Sequence, residues 1–291
     1  MVRNLAGMVG SVTRRSREEP DDTPDRDSCL VCEADLTTSE VYSHYRVCPR
    51  CRFHYSMSAR ERITSLADPE SFEEINRSIV SLDPLSFSSR ESYTRRLFRD
   101  QRRTGLTEAV VTGTCTISGS PVMLIVLDFG FMGGTMGCVV GEKVALALER
   151  AVKRSLPAVA IVTSGGARIQ EGVLSLMQMA KTTIAANKMN EAGLPYVTVL
   201  ANPATGQAFG SFANLADIIM AEPGAIVGFS PFGVLKRVSN EPLSTESHTA
   251  ESRLDHGLLD NDAKPLLLVC VHLPSSCKSF INLWRPPITS P

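Results

Sequence analysis

The sequence lacks both a dominant sign of charge and long apolar runs. Its 30 lysines and arginines nearly balance 31 aspartates and glutamates, which leaves a formal charge of -1 and no global field for capturing nucleic acid or an anionic membrane. The longest apolar run, residues 265–273, is far shorter than the roughly 18–20 residues of a membrane-spanning helix. We therefore expect a soluble protein with no membrane contact, in which any contact with nucleic acid is local.

A signal-peptide core and a disulfide pattern are also missing. Residues 1–17 are basic but contain no apolar stretch before a cleavage site, so they predict a mobile tail rather than a secretory leader. Four of the eight cysteines form two tight pairs, and the other four are scattered: Cys115, Cys138, Cys270 and Cys277. This distribution suits a reducing cytoplasm.

Composition divides the chain into five parts. We predict a disordered tail over residues 1–27, a four-cysteine ribbon over 28–55, a helical connector over 56–104, an α/β domain over 105–260 and an atypical C-terminal tail over 261–291. The second half of the connector carries several arginines, which we interpret as a solvated basic helix face.

From residue 105 onward, short apolar strands alternate with helices, which predicts a layered α/β architecture. The expected strands are 109–116, 122–128, 158–163, 196–201 and 225–229, and the expected helices run near 141–154, 167–190 and 209–220. In the longest helix, apolar residues recur at three- and four-residue steps, which we interpret as a face that packs inside the domain: Ile169, Val173, Leu176, Met177, Ala180 and Ile184.

Two cysteine pairs predict one structural zinc ion. Cys29 and Cys32 are followed after 15 residues by Cys48 and Cys51, and each pair can form a tight knuckle whose thiolates converge on a tetrahedral cation. Four soft ligands leave no position for water, which favours a structural role over a catalytic one. Two disulfides or free buried cysteines are the alternatives.

Three glycine-rich turns each join a predicted strand to a predicted helix, and they contain Gly133–Gly134, Gly165–Gly166–Ala167 and Gly206–Gln207. Such turns direct backbone N–H groups outward at the positive end of a helix dipole. A phosphate loop is one use for them, but the Lys and Ser/Thr that complete a P-loop are absent. A thioester oxygen that acquires negative charge suits paired N–H donors better, because they form an oxyanion hole.

From Cys29 to about Phe229 the sequence resembles the beta subunit of bacterial and plastid acetyl-coenzyme A carboxylase carboxyltransferase. The likeness rests on CLVC with CPRC, on SARERI, DPESFEE and AVVTGT, and on the long strings DFGFMGGTMGCVVGEK and SGGARIQEGVLSLMQMAKT, with EAGLPYVTVL and DIIMAEPGAIVGF after them. It implies a crotonase-like fold of ββα units behind the zinc ribbon, in the cytoplasm of a bacterium rather than in a plastid.

The resemblance also implies the activity and the partners. A homologous alpha subunit would complete an α2β2 assembly. Biotin on a separate carrier protein, carboxylated by a biotin carboxylase, would bring the carboxyl group to acetyl-CoA, giving malonyl-CoA for fatty acid synthesis. Gly133, Gly134, Gly165, Gly166 and Ala167 would bind the acyl-CoA, and the backbone of Gly206 and Gln207 would donate to the oxyanion.

Three departures from the family pattern leave other functions open. Gln207 stands where a second glycine is usual, residues 231–234 lack the Gly-Pro-Arg pattern, and a Pro-rich segment replaces the terminal amphipathic helix. A diverged, catalytically weak or silent subunit that scaffolds the alpha subunit is one alternative. A zinc-ribbon nucleic-acid-binding protein is the other, although it needs a continuous basic face.

Overall fold

The computed structural model describes residues 27–230 and 248–260. The helices are α1 (Glu40–Tyr45), α2 (Ala59–Leu66), α3 (Tyr93–Thr104), α4 (Cys138–Arg154), α5 (Val173–Glu191) and α6 (Ala250–Asp255). The strands are β1 (Glu73–Ile75), β2 (Val110–Ile117), β3 (Ser120–Leu127), β4 (Ala158–Ser164), β5 (Tyr196–Thr205), β6 (Ile218–Ala221) and β7 (Val227–Gly228).

All seven strands join one mixed sheet. The strand order follows the chain from β1 to β6, and β7 pairs with the far end of β5. The pairs β1–β2 and β2–β3 are antiparallel, whereas β3, β4, β5 and β6 run parallel to one another. The carboxyl ends of the parallel strands therefore lie at one edge of the sheet, where open α/β sheets commonly bind ligands.

The described residues form two separate hydrophobic cores. The large core lies around the sheet, where residues 122–127 of β3 are all buried, as expected for a strand covered on both faces. The small core, within residues 28–55, contains Cys29, Leu36, Tyr42, Cys48 and Tyr55. No helix in these parts of the chain is long and apolar enough to cross a membrane.

Much of the predicted architecture is confirmed. The α/β class is correct, and strands and helices stand at most of the predicted places. Helix α2 begins at Ala59 after the N-cap residue Ser58, in a capping box in which the Ser58 and Glu61 side chains each bond the other's backbone N–H. The predicted tails and the 231–234 segment lie outside the described residues, apart from Asp27.

One predicted helix is wrong. Residues 209–220 contain only a short 3₁₀ turn, Phe212–Leu215, followed by strand β6. The run Ile218–Ile219–Met220 is apolar without helical spacing, and it extends the sheet by pairing with Val197–Val199 of β5. Short apolar runs do not distinguish a buried strand from a helix segment, so tertiary pairing decided the outcome.

The interpretation of the apolar face of α5 as internal packing is also wrong. Ile169 is 72% exposed, Val173 66% and Met177 59%, and Leu176 and Ile184 are similarly exposed. The opposite face of the helix is the buried one, and its residues are small or polar except for Met189: Ser175, Gln178, Thr182, Ala185 and Ala186. Periodicity identified one apolar face correctly, but it could not say whether that face meets the same chain.

Candidate active site and metal centre

The three glycine turns meet at the carboxyl edge of the parallel strands. The first turn, residues 129–137, follows β3, the second, residues 165–168, follows β4, and the third begins at Gly206 after β5. Backbone bonds join the first two turns, because Gly165 N donates to Gly133 O at 2.9 Å and Met136 N donates to Gly166 O at 2.8 Å. The turns therefore form one backbone surface.

Glycine at position 206 is required by the close approach of the second and third turns. Its φ is +72°, and a Cβ atom there would lie 2.4 Å from the Cα atom of Gly166. A side chain would therefore both strain the backbone and force the two turns apart. A side-chain bond reinforces the contact, because Thr205 Oγ1 donates to Ser164 O at 3.0 Å.

The Gln207 side chain fastens the third turn to the first turn and to α5. Its Nε2 atom donates to Met136 O at 2.8 Å and to Ser175 O at 3.0 Å. The residue is only 4% exposed, and it does not belong to the residues with positive φ. Gln207 therefore adopts an ordinary backbone conformation, and its side chain links the third turn to the first turn and to α5.

The predicted site residues differ in whether their backbone N–H groups are already hydrogen-bonded within the chain. Gly206 N donates to Gly228 O at 3.0 Å, and Gly166 N donates to Ser164 Oγ at 3.1 Å, so neither N–H group is free in this conformation. Within 27–230 and 248–260, no acceptor lies in hydrogen-bonding range of Ala167 N or Gln207 N. Of the five residues predicted to bind acyl-CoA, Gly133, Gly165 and Ala167 are partly exposed, whereas Gly134 and Gly166 are buried.

A buried charge cluster lies directly behind the first two turns. Arg168 is fully buried, and its guanidinium binds Glu108 through two bonds of 2.6 and 2.9 Å and donates to Thr135 O at 2.7 Å. The Glu171 carboxylate lies 3.5 Å from the Arg168 guanidinium. It accepts hydrogen bonds from Tyr93 Oη at 2.5 Å and from the N–H of Cys138 at the start of α4. The cluster thus connects α3, the turns and α4.

The electrostatics of this cluster favour its charged form. Burial opposes ionisation of Glu108, but the Arg168 charge, with hydrogen bonds from Arg168, Ser81 and the Ala109 N–H, holds the Glu108 pKa below its usual range. Burial likewise opposes the Arg168 cation, yet Glu108 and Tyr93 raise the pKa of Arg168. An isolated charge would not be stable at this depth, whereas a bidentate pair with its remaining donors satisfied is.

Sequence reasoning missed this cluster. Arg168 was visible only as one letter of the SGGAR string, and Glu108, Tyr93 and Glu171 are spread over 78 positions between Tyr93 and Glu171. The one available signal was a charged residue placed between a glycine turn and an apolar helix. Charges in such a place are solvated or paired, and a single sequence does not say which.

The four predicted metal ligands converge. Their Sγ atoms all lie within 4.8 Å of one another, and the pairs Cys29–Cys51 and Cys32–Cys48 are each 3.6 Å apart. A Zn–S bond of about 2.3 Å implies about 3.8 Å between sulfurs in a tetrahedron, so the four thiols fit a zinc ion. Although burial disfavours the thiolate, hydrogen bonds from Tyr55 Oη and Val31 N lower the pKa of Cys29 to about 6.

His54 is buried where the cysteine-containing segment meets the large core. Its Nδ1 atom lies 3.9 Å from Glu222 Oε1, which also binds Arg62 at 2.7 Å. The other Glu222 oxygen accepts the N–H of Asn202, near the end of β5, at 3.3 Å. Burial lowers the pKa of His54 even though Glu222 favours the cation. Contacts thus run from the cysteine-containing segment to the strand that carries the third turn.

Comparison with known proteins defines the class of this fold and site. Residues 56–256 match the carboxyl transferase domain. A chain of transcarboxylase 12S aligns with a TM-score of 0.61 and 30% identity over 75% of this chain and 41% of that chain. A Pseudomonas malonate decarboxylase hetero-dimer aligns with a TM-score of 0.57 and 22% identity over 79% of this chain and 93% of that chain, which is a likeness of fold.

The chain belongs to the carboxyl transferase family. Within it, the curated relatives are acetyl-coenzyme A carboxylase carboxyl transferase beta subunits, and this chain is one of that group. The Desulforamulus reducens protein is 47% identical over 80% of this chain and 80% of its own length. The Thermus thermophilus protein is 44% identical over 80% and 81%, respectively.

Proposed function

We propose that this chain is the beta half of a carboxyltransferase that moves a carboxyl group from carboxybiotin on a carrier protein to acetyl-CoA, giving malonyl-CoA for fatty acid synthesis. The observation that carries the proposal is the convergence of three glycine turns on one sheet edge, with the N–H groups of Ala167 and Gln207 lacking acceptors among the described residues. Two free donors on adjoining turns suit a single oxyanion.

The reaction needs placement more than an ionisable side chain. The N–CO2 bond of carboxybiotin breaks to give CO2 and the ureido anion, and that anion takes a proton from the acetyl methyl group. The resulting enolate forms the new C–C bond with CO2, and biotin leaves in its neutral form. The charge that develops on the thioester oxygen is stabilised by fixed N–H donors, each worth about 2.7–4 kcal/mol in comparable sites.

We assign the residues as follows. Gly133, Gly134, Gly165 and Gly166 shape the surface that holds the acyl-CoA, Gln207 and Ala167 donate their N–H groups, and Gly206 contributes the tight turn that brings them together. Gly206 N itself is bonded to Gly228 O. Its earlier assignment as a donor would hold only if that bond opens when substrate binds.

The partner in this proposal is an alpha subunit that covers the exposed apolar face of α5 in an α2β2 assembly. Four large apolar side chains of α5 occupy that face: Val173, Leu176, Met177 and Ile184. Ile169, in the 3₁₀ turn just before the helix, is exposed as well. Contiguous apolar surface of this kind marks sites of protein association. The biotin carboxyl carrier protein and biotin carboxylase, which uses ATP, complete the reaction sequence in the bacterial cytoplasm.

The remaining features fit the same proposal. We assign residues 28–55 to a ribbon with one structural zinc, supported by the converging thiols and by the separate small core. Residues 56–104 then form the connector and 105–260 the crotonase-like domain. The malonate decarboxylase and transcarboxylase alignments support this fold.

A catalytically silent scaffold is the second candidate. It is favoured by one observation, the engagement of the Gly206 N–H by Gly228. The test is to mix the purified chain with an alpha-type subunit, carboxylated carrier protein and acetyl-CoA, and to measure malonyl-CoA. Formation that depends on both subunits supports the enzyme. Stable association without malonyl-CoA would support the scaffold instead.

A further inference from the structure

The side chain of Gln207 has no part in the proposed reaction, although its backbone N–H is one of the two assigned donors. Both hydrogens of the side-chain amide are used inside the protein, because Nε2 donates to Met136 O in the first turn and to Ser175 O in α5. The backbone and the side chain of this one residue therefore have separate partners.

The carbonyl oxygen of Met136 is shared by the second and third turns. It accepts the N–H of Arg168 at 3.1 Å and Gln207 Nε2 at 2.8 Å. Arg168 directly follows Ala167, whose N–H is the other assigned donor. Both donors are therefore held against one oxygen atom, Ala167 through the residue after it and Gln207 through its own side chain.

The backbone of Gln207 is held on its other side as well. The hydroxyl of Ser211, which is buried, donates to Gln207 O at 2.6 Å. The Gln207 N–H has no acceptor among the residues that the structure describes, so it is fixed in place but unoccupied. A donor fixed before the substrate arrives needs no reorganisation when negative charge develops.

Stability alone does not account for a glutamine at this position. The Oε1 atom of Gln207 is buried and has no hydrogen-bond partner in the described ranges, which is unfavourable. Both carbonyls bound by Nε2 have a second donor, because Met136 O accepts the N–H of Arg168 and Ser175 O lies within a helix, where a helical N–H bonds it. A methionine of similar length would leave neither carbonyl unpaired, so the amide needs another explanation.

We propose that Gln207 is a positioning residue of the oxyanion site, whose side chain anchors the third turn to the first turn and to α5 and so directs its own N–H to the same point as that of Ala167. This inference rests on the proposed function, because it takes the thioester oxygen of acetyl-CoA as the acceptor. The side chain acts through the backbone of the third turn and leaves the glycines of the first two turns in place. Its loss therefore affects the developing oxyanion more than the bound substrate.

Kinetics of Gln207→Met in the assembled enzyme test this role. The variant keeps the backbone N–H and the length of the side chain but removes both anchoring bonds. It should lower kcat about 10- to 100-fold, since a displacement of about 1 Å can cost about 100-fold. The KM for acetyl-CoA and the midpoint of urea unfolding should stay close to wild type. Gln207→Ala, which only deletes side-chain atoms, should lower kcat in the same way.

The matched control is Gln178→Met. Gln178 is 8% exposed and Gln207 is 4% exposed, but Gln178 Nε2 donates to Leu174 O within α5 and to no glycine turn. This control should retain the kcat of wild type. An equal loss of kcat in Gln178→Met and Gln207→Met would overturn the inference, by assigning the effect to a general disturbance of α5.

Calorimetry with two ligands gives a measurement that does not need turnover. The probes are coenzyme A and a coenzyme A analogue that ends in a nitronate, whose anionic oxygens resemble those of the enolate. Gln207→Met should weaken the nitronate about 10- to 100-fold and change the affinity for coenzyme A by less than about twofold, because only the nitronate requires the oxyanion donors.

The two measurements distinguish this inference from the proposed function. A kcat and a nitronate affinity of Gln207→Met within about twofold of wild type would overturn the inference even if wild type is fully active. A wild-type chain that forms no malonyl-CoA with its partners would refute the proposed function. In that case a selective loss of nitronate affinity in Gln207→Met would still support the inference, and equal affinities would overturn it.

Discussion

Arg168 shows how single side chains hold the glycine turns in place. Its guanidinium reaches Glu108 ahead of β2, Thr135 in the first turn and Tyr93 in α3. The contacts with Glu108 and Tyr93 are buried, and the contact with Thr135 is partly buried, so the geometry of the turns depends on a paired charge rather than on apolar packing alone. Because backbone donors act only when they are fixed in place, this cluster is a positioning device for the proposed oxyanion site.

We predict that Arg168→Met lowers the free energy of unfolding by about 3–5 kcal/mol, because it leaves Glu108 and Glu171 buried without their cation. Urea denaturation measures the loss. Arg90→Met, which alters an exposed arginine, should stay within about 0.5 kcal/mol of wild type. A loss below about 1 kcal/mol for Arg168→Met would show that the cluster does not stabilise the fold as described.

We predict that His54 makes stability depend on pH. Its folded pKa lies below the ordinary 6.5, so the unfolded state takes up the proton first as the pH falls. The stabilisation is complete above about pH 6.5 and is lost as the pH decreases towards the folded pKa, with a slope of at most about 1.4 kcal/mol per pH unit. Urea denaturation from pH 7.5 to 5 measures this slope.

The matched variants for this prediction are His54→Gln and His44→Gln. Replacing the buried His54 should flatten the slope between pH 6.5 and 5, whereas replacing the exposed His44 should leave it as in wild type. Equal slopes in wild type and His54→Gln would contradict the assignment. The comparison concerns slopes, so a general loss of stability in either variant does not obscure it.

At the scale of elements, helix α5 has the two faces of an interface helix. Its small and polar residues pack against its own chain, and its large apolar residues lie on the surface. A fully independent domain would reverse this arrangement, because burial of each large apolar side chain contributes about 1.5–3 kcal/mol. In the proposed assembly, the apolar face would gain this stabilisation when the alpha subunit covers it.

We predict that Met177→Glu abolishes binding of the alpha subunit while leaving the unfolding free energy of the isolated chain within about 0.5 kcal/mol. A charge buried in the new interface costs far more than an exposed one. Gel filtration and calorimetry with the alpha subunit measure association. Asn190→Glu introduces the same side chain at an exposed position near the end of α5 and should bind normally. Unchanged binding by Met177→Glu would exclude this face as the interface.

The success of sequence reasoning also varied by element. Strands β3 and β4 and helix α4 were predicted closely because continuous apolar runs and helical spacing are local signals. The 209–220 segment failed because its assignment depended on pairing with β5, which is distant in sequence. The apolar face of α5 failed for a related reason, since periodicity does not show whether an apolar face is buried or exposed in the folded chain.

The same limit applies to the site. The cysteine spacing predicted the convergence of four thiols, and the strand, glycine turn and helix units predicted turns with backbone donors. The sequence did not show that Gly228 occupies the N–H of Gly206, nor that the Gln207 side chain binds Met136 and Ser175. Those residues are far apart in the sequence and come together only in the folded chain, so no local sequence pattern predicts their contacts.

At the scale of the whole molecule, the small core within residues 28–55 is too limited to be stable alone, and chains of this size are commonly stabilised by metal. We predict one zinc ion per chain, measured by elemental analysis after mild purification. Chelation should unfold this segment first, because the free energy of metal binding supplies much of the folding free energy of so small a core. Cys48→Ser should lose the metal, whereas Cys115→Ser, at a distant buried cysteine, should retain it. A metal-free wild-type protein would contradict the assignment.

The proposed activity depends on backbone N–H groups that stabilise a developing negative charge. The most direct measurement is a crystal structure of the complex between this chain and the alpha subunit, with an unreactive acetyl-CoA analogue bound. We predict that the acyl oxygen lies about 2.7–3.1 Å from Ala167 N or Gln207 N. An acyl oxygen remote from both the Gly165–Gly166 turn and the Gly206–Gln207 turn would contradict the account.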